Sequence, residues 1–328
     1  MKRIAAAVLI CLCLSACGGE ETPTGGLLGQ ASGLDETAVL LTVDGRQVPA
    51  WRYLCWLAYT CDRVAERCRE AGTALDWDAP LSGGTLADYA KNQALESTVL
   101  YATVENWAER YGVTAAPSGW ARIVDAYGGE AACLARCAQL GLDKARAMEL
   151  ADTGALYSGL CALCAAGDGP FAPETMAAFA AQQGCVTVER LLFAFGDDRE
   201  SARQRAAEAF ARLNGAADQG AVFSDLAQSD DDTAGPRTIL PGDDALPPAL
   251  EDAARELDIG QCSGILESDE GFSILRRLET DVSGLTEPYL DALLEKAADS
   301  AAVETTEGYD ALDTAAFYAA LTARRAES

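Results

Sequence analysis

Cysteine pairs at helical spacing are the residues of this sequence that most directly offer chemistry. Cys133 and Cys137 lie four positions apart, and Cys161 and Cys164 lie three apart, so each pair lies on one face of a predicted helix. Two such helices side by side could carry two disulfides or bind zinc through four thiolates. The same spacing also suits small buried thiols. A thioredoxin-like pair at Cys161 and Cys164 is disfavoured because no βαβ pattern surrounds it.

Histidine is absent from the chain. Its absence excludes histidine-based catalytic triads, histidine general bases and histidine-ligated metals. We therefore predict no cofactor and no metal, with a cysteine-bound zinc as the lesser alternative. The 51 acidic and 25 basic residues give a formal net charge of −26, which makes nucleic acid an unsuitable partner.

The N-terminal sequence "MKRIAAAVLICLCLSAC" has the features of a signal peptide. Two basic residues precede an apolar run that is too short to span a bilayer. The segment ending at Cys17 resembles a bacterial lipobox, which implies a diacylated cysteine and a position on the extracytoplasmic face of the cell membrane. The alternative is cleavage after Ala16 without lipid. Export permits thiol oxidation without guaranteeing it, so we favour buried thiols over disulfides and over zinc.

The apolar pattern changes along the chain and predicts several segments. Asp44-Gly45 predicts a hairpin, helical periodicity continues to about Gln183, and a strand pattern begins after Cys185. On the first long helix, one stripe indicates that two further cysteines are buried apolar residues; it comprises Leu54, Leu57, Cys61, Val64 and Cys68. The predicted segments are a signal peptide (1–16), a flexible tether (17–37), a helical domain (38–183), a smaller domain (184–280) and a C-terminal helical segment (281–328).

The smaller domain opens with "VTVERLLFAF", which alternates like a strand entering a core yet carries Arg190 in its middle. The periodicity then predicts helices over 199–214, 223–228 and 248–257 and strands over 264–266 and 271–278. A Pro/Gly-rich loop containing "AGPRTI" separates the second and third helices. The predicted order is therefore β-α-α-α-β-β.

This order, with its motifs, resembles a parvulin-type peptidyl-prolyl isomerase domain. The matching motifs are "RLLF", "GAVFSDLAQSDDD", "ALPPALEDAARELDIGQCSGILESDEGFSILRRL". The front segment "VDGRQVPAWRYL", together with a strand and helix after the domain, further resembles extracytoplasmic foldases of the PrsA/SurA type. That likeness implies an α+β fold in which N- and C-terminal segments build a helical chaperone-like domain around an inserted parvulin-like domain.

The resemblance also implies a set of site residues. Arg190 and Ser273 occupy the places of the two family histidines, and Asp231 matches the pocket's Cys/Asp position. Leu246 and Leu250 match the apolar residues that grip the proline ring. The candidate catalytic residues are therefore Asp231, Ser273 and Arg190, and we predict an Arg190–Asp231 ion pair that satisfies the guanidinium. The alternative is an arginine that extends to solvent.

Three functions fit these residues. The first is a lipid-anchored folding factor that binds exported, unfolded polypeptides and whose isomerase activity is weak or lost. The second is a fully active prolyl isomerase with an altered pocket. The third is a non-chaperone envelope lipoprotein that uses the fold as a scaffold for interactions.

Overall fold

The computed structural model describes residues 26–116, 119–167, 171–196, 198–228, 234–242 and 245–327. These residues divide into two compact units. Unit 1 combines the described parts of Met1–Ala162 and Leu290–Ser328, and unit 2 is the described part of Leu163–Tyr289. The boundaries predicted after residues 183 and 280 fall inside unit 2. Unit 1 therefore contains both N-terminal and C-terminal segments of the chain.

Helices make up most of the described residues. Their bounds are α1 (Leu27–Ser32), α2 (Ala50–Glu70), α3 (Leu86–Tyr111), α4 (Gly119–Ala126), α5 (Glu130–Gln139), α6 (Lys144–Ala166), α7 (Pro173–Gln183), α8 (Arg199–Asn214), α9 (Gln219–Gln228), α10 (Pro248–Glu256), α11 (Thr286–Asp299), α12 (Glu307–Asp310) and α13 (Thr314–Glu327). Local sequence signals determine where these helices begin and end. The longest, α3, begins at a capping box between Thr85 and Asp88 and ends at Gly112 in the left-handed conformation. No helix within the described ranges is long and apolar enough to cross a membrane.

The strands form three separate sheets. Their bounds are β1 (Val39–Val43), β2 (Arg46–Pro49), β3 (Pro80–Leu81), β4 (Gly84–Thr85), β5 (Val186–Ala194), β6 (Ala234–Ile239), β7 (Leu266–Glu267), β8 (Gly271–Leu278) and β9 (Val303–Thr305). In unit 1, β1 lies between β2 and β9, and β3 pairs with β4. In unit 2 the strand order is β6-β5-β8-β7, with every neighbouring pair antiparallel.

The core of unit 1 is built from α2, α13 and the sheet that joins the two ends of the chain. Tyr53 and Leu54 on α2 and Phe317 and Leu321 on α13 are at most 1% exposed. Pairing of β1 with β9 places Leu41 opposite Thr305. The predicted return of the C-terminal segment onto the N-terminal one is thus visible within unit 1 as a shared sheet and a shared core.

The tether predicted for residues 17–37 ends earlier than expected. From Gly26 onward the described chain is folded, and Leu28 on α1 has no exposed surface. Glu36 is 6% exposed and forms an ion pair with Arg146 of α6. The Gly/Thr/Ser-rich composition of this segment predicts a linker, but Leu28 is buried, and Leu27 and Leu34 are half-buried against the core that α13 helps to form.

Two adjacent glycines interrupt the helix that the periodicity predicts over 118–140. The chain forms α4 and α5 instead, separated at Gly128 and Gly129, whose φ angles are 75° and 128°. Such angles are accessible to glycine and end a helix. The two glycines therefore divide the predicted helix into α4 and α5.

Unit 2 has a sheet with helices on both faces, which agrees with the predicted α+β class. Its element order includes one strand that the sequence analysis assigns to a loop: β6, the "AGPRTI" segment. Pro236 is tolerated there because β6 is an edge strand and because its pairing with β5 is irregular between Val188 and Arg190. From β5 to β8 the observed order is therefore β-α-α-β-α-β-β.

Candidate functional site

The two faces of β5 have different neighbours. Leu191 and Phe193 pack with α8 and α9 in one core cluster, whereas Val186 and Val188 pack on the opposite face with Leu275. Because side chains alternate along a strand, Arg190 follows the second series. The predicted site residue therefore lies on the α10 side of the sheet, where the apolar core of that face ends.

Arg190 joins a buried hydroxyl to a surface carboxylate. Its Nε donates a hydrogen bond to Ser273 Oγ at 3.0 Å, and its Nη2 donates to Glu270 Oε2 at 2.7 Å. Ser273 has no exposed surface, the Arg190 side chain is 15% exposed and the Glu270 side chain is 57% exposed. The guanidinium thus bridges the interior and the surface, and both of its contacts come from β8 and the turn before it.

Strand register produces this arrangement. Residue 192 pairs with Ser273 and residue 190 pairs with Leu275, so Arg190 and Ser273 are diagonal neighbours on one face. At the end of the same strand pair, Gly271 lies so close to β5 that a Cβ atom would be 2.3 Å from the carbonyl oxygen of Phe193. The absence of a side chain at Gly271 therefore allows the hairpin to bring Glu270 against Arg190.

The predicted proline-gripping residues belong to the core. Leu246 is 8% exposed and Leu250 has no exposed surface, and both pack with Ile239, Ala254 and Leu275. Leu250 is held at this place by α10, which starts with Pro248 in its first turn. Neither leucine offers more than a small surface to a bound peptide in this structure, so their role in gripping a proline ring stays a prediction.

The structure brings only some of the predicted site residues together. Arg190 and Ser273 are in direct contact, whereas Asp231 and Cys17 lie outside the described residues. The predicted Arg190–Asp231 ion pair stays a prediction for this reason. The partner observed for the guanidinium is Glu270, which the sequence analysis missed. Glu270 directly precedes Gly271, the first residue of β8, and this position is the sequence signal that could have identified it. The signal becomes informative only when the register of β5 and β8 is known.

The cysteines show no disulfide among the described residues. Cys61 and Cys133 are buried, and Cys68 is half-buried. Burial raises the pKa of Cys55 to about 12, and burial together with the neighbouring Cys133 raises the pKa of Cys137 to about 12. No group of three or more potential metal ligands is present in the described part of the chain. Cys55 and Cys137 are therefore predominantly protonated near neutral pH, and protonated thiols are poor nucleophiles and poor metal ligands.

Comparison with protein families gives one match, within unit 2. Residues 191–279 match the Rotamase family model, described as a PPIC-type PPIase domain. The matched segment includes Ser273, Leu246 and Leu250 and begins one residue after Arg190. The recognition of a parvulin-type domain is confirmed over this segment, as is the α+β fold class. No curated protein sequence matches the chain.

Three solved structures that are similar to most of the chain have low sequence identity to it. Peptidylprolyl isomerase PrsA from Bacillus cereus is 13% identical over 81% of this chain and 87% of that one, with a TM-score of 0.25. Foldase protein PrsA from Streptococcus pneumoniae is 13% identical over 88% and 94%, with a TM-score of 0.27. A SurA-like chaperone from Campylobacter jejuni is 9% identical over 82% and 99%, with a TM-score of 0.26. Likeness at this level does not extend to individual residues or to their chemistry.

Proposed function

We propose that this chain is a membrane-anchored, extracytoplasmic folding factor that binds exported, incompletely folded polypeptides, and that the isomerase activity of its parvulin-type domain is weak or lost. One observation carries the second half of the proposal. Arg190, at the place of the first family histidine, is tied by hydrogen bonds to Ser273, at the place of the second, and to Glu270.

The chemistry of the reaction explains why this contact matters. Rotation about an X-Pro amide breaks no bond, and its barrier of about 18–20 kcal/mol arises from C–N conjugation. A pocket accelerates rotation when it favours the twisted amide, and lowering the barrier by about 4 kcal/mol gives about a thousandfold. Arg190 is permanently charged, and two of its N–H groups are engaged by Ser273 and Glu270. A guanidinium held in this way occupies the candidate pocket without adjusting to a substrate.

A fully active isomerase with an altered pocket is the second candidate. In that case Arg190 donates a hydrogen bond to the substrate, and Asp231 and Ser273 complete the site. The observation that favours it is the 15% exposure of the Arg190 side chain, which leaves part of the guanidinium accessible to a peptide.

A protease-coupled prolyl-peptide assay separates these two candidates. We expect the purified wild-type chain to give a rate close to the uncatalysed rate. A rate equal to that of an active parvulin, abolished in Arg190→Ala at unchanged stability, would identify Arg190 as a catalytic donor and contradict the proposal.

The chaperone half of the proposal needs its own test, because a third candidate is an envelope lipoprotein that binds no unfolded chains. We expect the wild-type chain to reduce the aggregation of a reduced, unfolded secreted protein, as followed by light scattering. A protein of equal net charge serves as the control for non-specific electrostatic effects. Equal aggregation in the two samples would favour the third candidate.

Anchoring rests on the lipobox-like sequence before Cys17. Cys17→Ala should move the protein from the membrane fraction to the soluble fraction, because a lipidated N-terminus is the proposed membrane contact. Cys68→Ala, which removes a thiol elsewhere, should leave the partition unchanged. Detergent-dependent partition of Cys17→Ala would contradict the lipid anchor.

A further inference from the structure

A cavity of about 420 Å³ lies within unit 1, where β2, α2, α3 and α6 meet. Its volume falls in the range of small-ligand sites. Apolar side chains form part of its wall, and they are Pro49, Ala108, Val113 and Leu156. The cavity is separate from the Arg190 site, since all of its lining residues belong to unit 1.

The floor of this cavity is a buried, fixed polar group. Arg52 is 5% exposed and forms a two-pronged ion pair with Glu105. Thr153 is 3% exposed, and its hydroxyl contacts both partners, donating to Glu105 Oε1 at 2.8 Å and lying 3.1 Å from Arg52 Nη2. The Nε of Arg52 is buried and has no hydrogen-bond partner in the described part of the chain. Buried N–H groups are almost always paired, so this floor lacks one acceptor.

The rim carries carboxylates in excess of cations. Arg46 is engaged by Glu109 at 2.7 Å and by Asn106 at 2.6 Å. Glu149 and Asp152 on α6 also line the cavity, and neither forms an ion pair with any described residue. They are exposed, one helical turn apart, and therefore on the same side of α6. Burial raises the pKa of Glu149; the nearby positive charges of Arg52 and Arg146 oppose the rise, and the negative charges of Glu105 and Asp152 add to it.

The unmatched groups define the chemistry of an occupant. Two exposed carboxylates without an ion-pair partner among the described residues attract a cation, and the apolar wall accommodates an aliphatic stem. Lysine and arginine side chains combine both features.

We propose that this cavity binds a lysine or arginine side chain of an extended polypeptide, with Glu149 and Asp152 holding the cationic group and Leu156 and Val113 contacting its stem. The inference rests on the proposed function, because the polypeptide is the unfolded client. It adds a sequence preference for segments that contain a lysine or an arginine. The strongly acidic composition of the chain acts in the same direction by attracting basic segments.

The test compares two labelled, unstructured peptides that differ at one position. One carries a central arginine and the other carries citrulline, which has nearly the same shape and no charge. Fluorescence anisotropy with the full-length chain in detergent should give about fivefold tighter binding of the arginine peptide, as two exposed carboxylates would provide. The preference should shrink as salt is raised, because exposed charges are screened.

Glu149→Gln/Asp152→Asn should abolish the preference without loss of folding, because it removes like charges from an exposed rim. Asp125→Asn/Glu256→Gln makes the same change in net charge at exposed positions outside the cavity lining and should retain the preference. Circular dichroism and the thermal midpoint confirm that both variants are folded.

The outcomes distinguish failure of the cavity assignment from failure of the folding-factor proposal. Equal binding of the two peptides by the wild type, or an unchanged preference in Glu149→Gln/Asp152→Asn, would overturn the cavity assignment and leave the folding-factor proposal standing. Absence of binding to both peptides and to an unfolded protein would overturn both. Binding of spermidine, with no discrimination between the peptides, would overturn the polypeptide as the occupant.

Discussion

At the scale of single residues, the central feature is a cation held between the interior and the surface of a sheet. Ser273 has no exposed surface, whereas Glu270 is largely exposed. The two contacts of Arg190 therefore differ in energy. An exposed ion pair contributes at most about 1 kcal/mol, whereas a buried hydroxyl that loses its donor carries a larger penalty. The hydrogen bond to Ser273 is thus the more important of the two for the stability of unit 2.

Arg190→Ala should destabilise the protein by about 1–2 kcal/mol, because it removes the donor to a buried oxygen. Glu270→Ala should lower the free energy of unfolding by less than about 1 kcal/mol, since its side chain is exposed. Urea unfolding of the two variants measures the difference. Equal losses would mean that the surface ion pair, rather than the buried hydrogen bond, provides the stability.

Histidine at both positions tests the proposed loss of activity. Ser273→His alone should destabilise by about 1–3 kcal/mol, because the larger ring enters a fully buried position beside an unchanged arginine. Arg190→His/Ser273→His should recover part of this loss and raise the prolyl-isomerase rate above that of wild type. The coupled peptide assay checks the rate, and Arg190→Ala/Ser273→Ala is the control for simple opening of the pocket. An unchanged rate in a folded double-histidine variant would show that other parts of the pocket are also lost.

The thiols should react in an order set by burial. At pH 8, Cys68 should be alkylated by iodoacetamide well before Cys55, because burial raises the pKa of Cys55 to about 12 and leaves about one thiolate in ten thousand molecules. Peptide mass mapping over time measures both rates. Cysteines that resist alkylation even in denaturant would be disulfide-bonded, contrary to the structure.

The sequence predicts candidate site residues but not all of their contacts. The motif spacing assigns Arg190 and Ser273 to one candidate site, and the two side chains are hydrogen-bonded. Glu270 was not identified, because the choice of a partner depends on which residues the register of β5 and β8 places together. A register is a property of two distant segments, and no local pattern in either strand specifies it fully.

At the scale of elements, local sequence signals account for the helix limits that can be predicted. Tertiary contacts account for the helix and the strand that the sequence does not predict. The limits of α3 follow from a cap at Thr85 and a glycine at 112, both of which are visible in the sequence. The helix α1 and the strand β6 have compositions typical of linkers and loops. Each is ordered by a neighbour, α1 by the core around Leu321 and β6 by pairing with β5.

The contact of α1 with the turn between α5 and α6 provides a test. Gly141 has φ 72°, and a Cβ there would lie 2.5 Å from Leu28 Cγ. Gly141→Ala should therefore destabilise by about 2–4 kcal/mol, through backbone strain and overpacking together. Gly72→Ala is the matched control, because Gly72 has φ 66° with nothing near its Cβ, and it should lose about 1 kcal/mol. Equal losses in thermal or urea unfolding would mean that α1 moves aside without loss.

At the scale of the whole molecule, the two units differ in how the chain builds them. Unit 2 is formed by one continuous stretch of the chain, whereas unit 1 requires segments from both ends. The family resemblance predicts this arrangement, and the predicted boundaries after residues 183 and 280 lie inside unit 2. Residues 163–183 have helical periodicity like the segments before them. The periodicity does not show which of the two units a helix belongs to.

Stopping the chain after residue 301 should affect the units unequally. The truncation removes β9 and α13, and with them Phe317 and Leu321 from the core of unit 1. Amide hydrogen exchange followed by mass spectrometry should then show loss of protection in α2 and β1, while β5 and β8 stay protected. Protection retained in α2 would mean that unit 1 is complete without its C-terminal segment.

The pairing of β1 with β9 also delays the completion of unit 1 in a newly synthesised chain. The hydroxyl of Thr306 donates to the carbonyl of Leu40 across 266 positions of sequence. At synthesis rates of about 5–20 residues per second, the earlier strand waits on the order of ten seconds to a minute for its later partner. During that interval the apolar surface of α2 lacks its cover. Each new copy therefore passes through a stage in which it presents the kind of unfinished surface that we propose the mature protein binds on others.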